Sequence, residues 1–297
     1  MSRALRSSAR QAANRAIQQE TRQNPDPLPG LNKEETSLLR KKQFRLRGFK
    51  DEITTQASRY GEHILNALRA TYIFAQAEAG AAVCIDPAGH MLTCAHCFGE
   101  DEEEWRGNQV KCLIDYAGGA VQVQCVAWDE RRDLALAKVV RAESVGDNTQ
   151  SLSFASIGIS SGVSSTWDHT PIVCIGQPGA DDLESKTPRA TGYDLLEISE
   201  GRLRGLIEGA DPQDNLEIGT LKHDAWSYWG HSGAPLVCRE TGVLLGLHSS
   251  WDDQTAMRHG IPVDAVNEFL DIHLPGYRRG EVNLSDNAGI GVNTAGS

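Results

Sequence analysis

Ser232 lies in Trp229-Gly230-His231-Ser232-Gly233-Ala234-Pro235, a serine with glycine on both sides. Far upstream, His96 closes Thr93-Cys94-Ala95-His96 and Asp133 opens Asp133-Leu134-Ala135-Leu136. A hydroxyl is a poor nucleophile at neutral pH, so serine chemistry needs a base to take its proton and a third group to orient that base. The order His, Asp, Ser supplies one candidate for each role. Gly230 permits torsions closed to other residues, so that successive N–H groups can point into one small space. Gly230, His231 and Ser232 are therefore candidates for an oxyanion hole, with the N–H groups of Gly230 and Ser232 the expected donors. Taken alone, Gly-x-Ser-Gly is also ordinary turn composition. It is not the Gly-x-Ser-x-Gly elbow of α/β-hydrolases, because position 234 is alanine and no βαβ alternation surrounds it.

For His96 the competing reading is a satisfied structural histidine or a zinc ligand with Cys94 and Cys97. Zinc needs a fourth ligand and usually a second compact pair, which neither Cys112 nor Cys125 belongs to, so no metal and no cofactor is expected. Asp133 opens an apolar strand that buries its near end, where a carboxylate can accept from an imidazole. Its competitor Asp129 precedes the charged turn Glu130-Arg131-Arg132 and is expected to face water.

The elements that must position these residues are short. Runs at 71–74, 81–85, 90–93, 110–114, 121–126, 134–139, 172–175, 195–198, 236–238 and 243–248 are apolar or β-branched, and many are separated by Gly, Pro, Asp or Asn. Many short strands with few long helical patterns argue for a sandwich or barrels. Residues 1–50 are polar and broken by Asn24-Pro25-Asp26-Pro27-Leu28-Pro29-Gly30, and read as a tail or arm. Apolar residues at 53, 57, 60, 64 and 68 predict one amphipathic helix over 52–68, packed on the next domain. A final helix is expected over 264–272, capped by Asp264, and residues 276–297 read as a disordered tail.

The 297 residues carry a net charge of −11, which disfavours nucleic acid as a partner, and no apolar run approaches the roughly 20 residues that span a bilayer. The acids at 100–104 read as a solvated loop. Seven cysteines are an odd number, and the N-terminus lacks the apolar core of a secretory signal, so a reducing, cytoplasmic setting is expected. Residues 1–19 hold four arginines and no acid, leaving a mitochondrial presequence as the alternative to a frayed tail.

At these residues the chain resembles the trypsin-like (chymotrypsin-fold) serine peptidases, most closely the HtrA/Deg branch. Four blocks carry the resemblance: Gly80-Ala81-Ala82-Val83-Cys84-Ile85-Asp86-Pro87-Ala88-Gly89-His90-Met91-Leu92-Thr93-Cys94-Ala95-His96, then Asp133-Leu134-Ala135-Leu136, then His223-Asp224-Ala225 seven residues before His231-Ser232-Gly233-Ala234-Pro235-Leu236-Val237, and finally Gly260-Ile261-Pro262-Val263-Asp264. The resemblance implies an all-β fold of two six-stranded antiparallel β-barrels over about 70–275, with an N-terminal helical or disordered arm, a helix at 51–69 and a C-terminal helix. It implies the triad His96, Asp133 and Ser232 in the cleft between the barrels. It also places Ser249 beside the substrate strand and in support of the aspartate.

The departures are informative. Secreted trypsin-like enzymes carry an aspartate where this chain has His231, so activation by propeptide cleavage is not expected. The usual partner position of Cys97 is alanine, which predicts a free thiol, and no PDZ domain is expected after the last helix. Trp226, Ser227, Tyr228 and Trp229 on one side, with His248, Ser249, Ser250 and Trp251 on the other, are the expected substrate-binding residues; their aromatics narrow the cleft to small or apolar side chains. The implied function is an intracellular serine endopeptidase acting on polypeptides through an acyl-enzyme. The alternative is a pseudoprotease that uses the barrels to hold a peptide, for which Ala234 and His231 speak. The arm is also a candidate for homo-oligomerisation.

Overall fold

In the computed structural model, which describes residues 28, 30–107, 109–143, 152–158, 169–183, 185, 187–252 and 254–277, twelve short strands close into two six-stranded antiparallel barrels. The first runs β1 (Thr71–Phe74), β2 (Ala81–Cys84), β3 (His90–Cys94), β6 (Leu134–Ala142), β5 (Ala120–Asp129) and β4 (Val110–Asp115), and pairing of β4 with β1 closes it. The second runs β10 (Pro235–Cys238), β11 (Leu244–Trp251), β12 (Arg258–Pro262), β9 (Leu221–His223), β8 (Glu197–Leu206) and β7 (Pro171–Gly176), closed by β7 on β10. Along β5 the residues alternate, with Val121, Val123 and Cys125 turned into the barrel and Gln124 outward, until the register shift after Cys125 turns Ala127 to the opposite, also buried, face. Register shifts at Gln122/Val123 and Cys125/Ala127 bend this long strand around the barrel.

Helices flank the barrels. α1 (Lys33–Ser58) starts at Asn32, whose side chain accepts from the N–H groups of Glu34 and Glu35 while the Glu35 carboxylate accepts from Asn32 N–H, a complete capping box. The helix expected over 52–68 is thus two helices, because Gly61, at φ +103°, breaks the chain before α2 (Glu62–Ala70). The stretch that polarity assigned to an arm is also anchored. Arg40 pairs with Glu143 at 2.7 Å, and Gln43 donates to Glu143 at 2.6 Å and to the Gly118 carbonyl at 3.0 Å, all of them buried. Composition alone could not show this, since a buried cation differs from a solvated one only by distant partners.

The acidic run contains a short helix, α3 (Glu102–Gly107), whose Trp105 stacks on Trp128 at 5.6 Å. α4 (Val263–His273) is capped by Pro262 without a side-chain bond, so Asp264 sits in the first turn rather than at the cap. Tyr277 donates its hydroxyl to the Ile85 carbonyl, which ties residues 276–277 to the first barrel. Residues 1–27 and 278–297, including the presequence candidate and most of the expected tail, lie outside the described residues. All seven cysteines are free thiols, Cys97 among them. Among the described residues no helix is long and apolar enough to cross a membrane.

Candidate active site

His96 lies in a 3-10 turn, Ala95–Cys97, where β3 ends, and β3 pairs with β6 so that Cys94 faces Leu134. That pairing brings Asp133 beside His96, with Ala95 N donating to the Asp133 carbonyl at 3.0 Å. Asp133 holds φ at +51°, a left-handed torsion that aspartate tolerates better than most residues and that turns its carboxylate back toward the histidine. His96 Nδ1 lies 2.9 and 3.1 Å from the two carboxylate oxygens, and His96 N adds a bond of 3.2 Å. Ser249 Oγ donates to Asp133 Oδ2 at 2.7 Å, so the buried carboxylate has partners on both oxygens. Asp129 is taken up by Arg132, at 2.7 Å, and points away from this chemistry into a half-buried ion pair.

Burial pulls the His96 pKa down, but the Asp133 charge and hydrogen bond, helped by Glu100, outweigh it and raise the value above the ordinary 6.5. A peptidase that used His96 as its base, which must be neutral to act, would therefore show an acid limb in kcat/KM above pH 6.5. Measuring kcat/KM from pH 5 to 9 checks this, and an inflection below pH 6.5 contradicts it.

Ser232 follows a turn at φ +96° on Gly230 and precedes Gly233 at φ +80°. Gly233 is forced twice over, since a Cβ there would fall 2.1 Å from the Ala81 carbonyl oxygen. Ala81 N donates to Ser232 O at 2.8 Å, which fastens the nucleophile segment to the first barrel. The Trp229 carbonyl accepts from Gly179 N at 2.5 Å. Because the C=O and N–H of a trans peptide point in opposite directions, this bond turns the Gly230 N–H away from Gly179. Neither Gly230 N nor Ser232 N donates to a protein acceptor among the described residues. His231 N, in contrast, donates to the Tyr228 carbonyl at 3.0 Å, so the expectation that His231 contributes to the oxyanion hole is corrected: its donor is consumed inside the turn.

The Ser232 hydroxyl donates to the Ser249 carbonyl at 3.3 Å, and among the described residues no hydrogen bond joins it to His96. Such bonds are often long or misaligned without substrate and tighten when it binds. His96, Gly230 and Ser232 line one cleft of about 840 Å³, which continues past Ala79, Phe74 and Lys111. A family model described as a trypsin-like peptidase domain matches residues 80–247, more than half of the chain and all three of these positions.

The chain belongs to that family.

Among solved structures, the serine endoprotease from Yersinia pestis is similar to this domain at 19% identity and a TM-score of 0.50, over 74% of this chain and 65% of that one. An HtrA-type protease, AlgW with a decapeptide, matches at 20% identity and a TM-score of 0.46, over 65% and 51%. At 19% identity the likeness to the Yersinia pestis structure is one of fold, and this chain spans about half to two thirds of the length of those two structures. Comparison with curated proteins gives no match.

In this trypsin-like peptidase domain the expected substrate residues separate into two groups. Trp229 is exposed and meets the half-buried Trp251 edge to face, with centroids 6.2 Å apart, while Trp226 and Tyr228 each meet Tyr193 the same way. Ser250 is half-buried, and Ser227, Ser249 and His248 are buried. His248 is therefore corrected from a substrate contact to a floor residue: its ring meets His223 Nε2 at 3.0 Å and its carbonyl accepts from Gly233 N at 2.8 Å. Contacts decide this: at the register shift between His248 and Ser250 the Ser249 hydroxyl turns to Asp133, while the His248 ring packs on His223 and His231. Local sequence reading also missed residues 30, 31 and 35, at and before the start of α1, which line the far end of the cleft. No local signal links them to Ser232.

The ligating atoms of Cys94, His96 and Asp133 lie within 4.8 Å of one another, the geometry of a possible metal cluster. Burial holds the Cys94 thiol well above its ordinary pKa, however, and keeps it protonated, while its Sγ approaches the His248 carbonyl at 3.3 Å.

His223, His231 and His248 form a buried group under the turn. Burial, followed by Arg258, pushes His223 down to about 3; burial, followed by competition with His223 and His231 for a proton, holds His248 well below 6.5, and burial takes His231 to about 4. The folded state refuses protons that the unfolded chain accepts below pH 6.5, so stability is full above that pH and is lost as pH falls toward the folded values. Each independent histidine costs about 1.4 kcal/mol per pH unit in this window. Thermal unfolding between pH 8 and 4 is expected to show Tm falling steeply below pH 6.5. A flat profile contradicts it.

Proposed function

We propose that this domain is a serine endopeptidase that cleaves polypeptides through an acyl-enzyme. Ser232 Oγ attacks the scissile carbonyl carbon while His96 Nε2 takes its proton. Asp133 holds the imidazole by Nδ1 and stabilises the imidazolium, and Ser249 holds Asp133. The N–H groups of Gly230 and Ser232 receive the oxyanion. His96 then gives its proton to the leaving amine, and water, with its proton taken by the same nitrogen, releases the acyl group. The observation that carries this reading is the chain Ser249–Asp133–His96, which ends in the cleft that holds Ser232.

Trp229, next to Gly230, packs on Trp251, two residues after Ser249, and this aromatic pair supports a preference for small or apolar side chains before the scissile bond. Seven unpaired thiols support a reducing, intracellular setting.

A second reading, a peptide-binding module without turnover, is favoured by the Ser232 hydroxyl resting on the Ser249 carbonyl. A fluorophosphonate probe separates the two. Endopeptidase function requires labelling of the wild type that disappears in Ser232→Ala; peptide binding without labelling supports the second reading.

A further inference from the structure

Lys42, on α1, is a buried cation held by backbone carbonyls. Its Nζ donates to Phe74 O at 2.7 Å and Gln76 O at 2.6 Å. Burying an ammonium is costly unless its protons are taken up, and burial pulls its pKa down to about 8, with Glu78 opposing and Arg45 adding to the shift. A tether for the helix alone does not call for a charge here, since Arg40 and Gln43 already fasten α1 to Glu143.

The two carbonyls open the loop of residues 75–80 between β1 and β2. Ala75 N donates to Cys112 O at 2.9 Å, Phe74 N to Gly80 O at 3.0 Å, and Gly80 N to Gln177 Oε1 at 3.3 Å. The far end of the loop lies against the oxyanion turn: a Cβ on Gly230 would fall 2.4 Å from Ala79 Cβ. Immediately after the loop, Ala81 N holds the Ser232 carbonyl. Lys42 thus grips the first residues of a loop whose far end lies against Gly230 and leads into Ala81, which holds the Ser232 carbonyl.

We propose that Lys42 is a positioning residue for the reaction: through residues 75–80 it fixes Ala79 as the ledge on which Gly230 rests. This rests on the reading that Ser232 is the nucleophile and Gly230 N–H an oxyanion donor. Such a donor acts in the transition state and not in substrate binding, so its displacement lowers kcat and leaves KM.

The test compares full-length Lys42→Met, Arg40→Met, Ala79→Gly and the Lys42→Met/Ala79→Gly pair on one cleaved peptide, with Tm and fluorophosphonate labelling rates. Because complete loss of an oxyanion donor costs about 10²–10³-fold, its misplacement in Lys42→Met is expected to cost about 10–100-fold in kcat and labelling, with KM within about twofold. Arg40→Met, which loosens the same helix away from the loop, is expected to lower Tm while kcat stays within about twofold. Ala79→Gly leaves the Lys42 bonds in place and is expected to lose about 10-fold in kcat; the double variant should lose no more than the larger single, because two residues acting through one loop are not additive. Wild-type kcat in Lys42→Met, an equal kcat loss in Arg40→Met, or additive losses in the pair each overturn the proposal. If Lys42→Met does not fold, wild-type kcat in Ala79→Gly overturns it. A wild type that is not labelled at Ser232 overturns the endopeptidase reading and this proposal with it, whereas Ser232 labelling alongside any of the other results overturns this proposal alone.

Discussion

Ser232→Ala is expected to lower kcat on a cleaved peptide by about 10⁶-fold, since removing the nucleophile of such a unit costs as much as removing the whole triad. Folding should be almost untouched. The hydroxyl makes one hydrogen bond, to the Ser249 carbonyl, and such a bond contributes about 1 kcal/mol net. Backbone fastenings of the segment, from Ala81 N to Ser232 O and from Gly233 N to His248 O, survive the change. Residual hydrolysis about 10³–10⁴-fold over water is expected from the oxyanion donors and binding alone. Steady-state kinetics and thermal unfolding on the same preparation check both halves. Wild-type turnover in the variant would remove Ser232 from the mechanism.

The second large effect is expected at Asp133. Asp133→Asn keeps the size of the side chain and tolerates the left-handed torsion at φ +51°, so the fold should persist. The chemistry should not. A carboxylate only accepts, which leaves the Nδ1 proton on the side of Asp133 and frees Nε2 as a base. An amide can present N–H to Nδ1 instead, which puts the proton on Nε2, where it blocks uptake from Ser232. Loss of about 10⁴-fold in kcat is expected, with KM nearly unchanged. The variant should also lose the upward shift of the His96 pKa, because the Asp133 charge is the main force that opposes burial there. A pH–rate profile whose acid limb stays above 6.5 in Asp133→Asn would contradict that account.

Much of the barrel pair was legible because strand alternation and turn residues are local. The strand runs and the glycines at 230 and 233 follow from nearest-neighbour sterics, whereas the pairing of His96 with Asp133 depends on β3 lying beside β6 and was expected only from the family resemblance. Illegible were the features that depend on a distant partner. Residues 33–50 read as part of a polar arm, yet Arg40, Lys42 and Gln43 are buried, because their partners Glu143, Phe74 and Gly118 lie 32 or more positions away in the chain. The helix break at Gly61 was hidden for a different reason: apolar residues on both sides keep one period, and only the torsion shows the interruption.

By itself the sequence determined the order of the candidate histidine, aspartate and serine, the strand content and the glycines that let a serine stand in a tight turn. These are properties of side-chain chemistry and local torsion. Tertiary structure decided which donors remain for an oxyanion, since His231 N–H is consumed by Tyr228 while the Gly179–Trp229 bond turns the Gly230 N–H away from Gly179. It also decided that His248 lies beneath the cleft, and that residues at the start of α1 border it. Hydrogen-bond partners and burial are set by what folds against a residue, and those neighbours come from other parts of the chain.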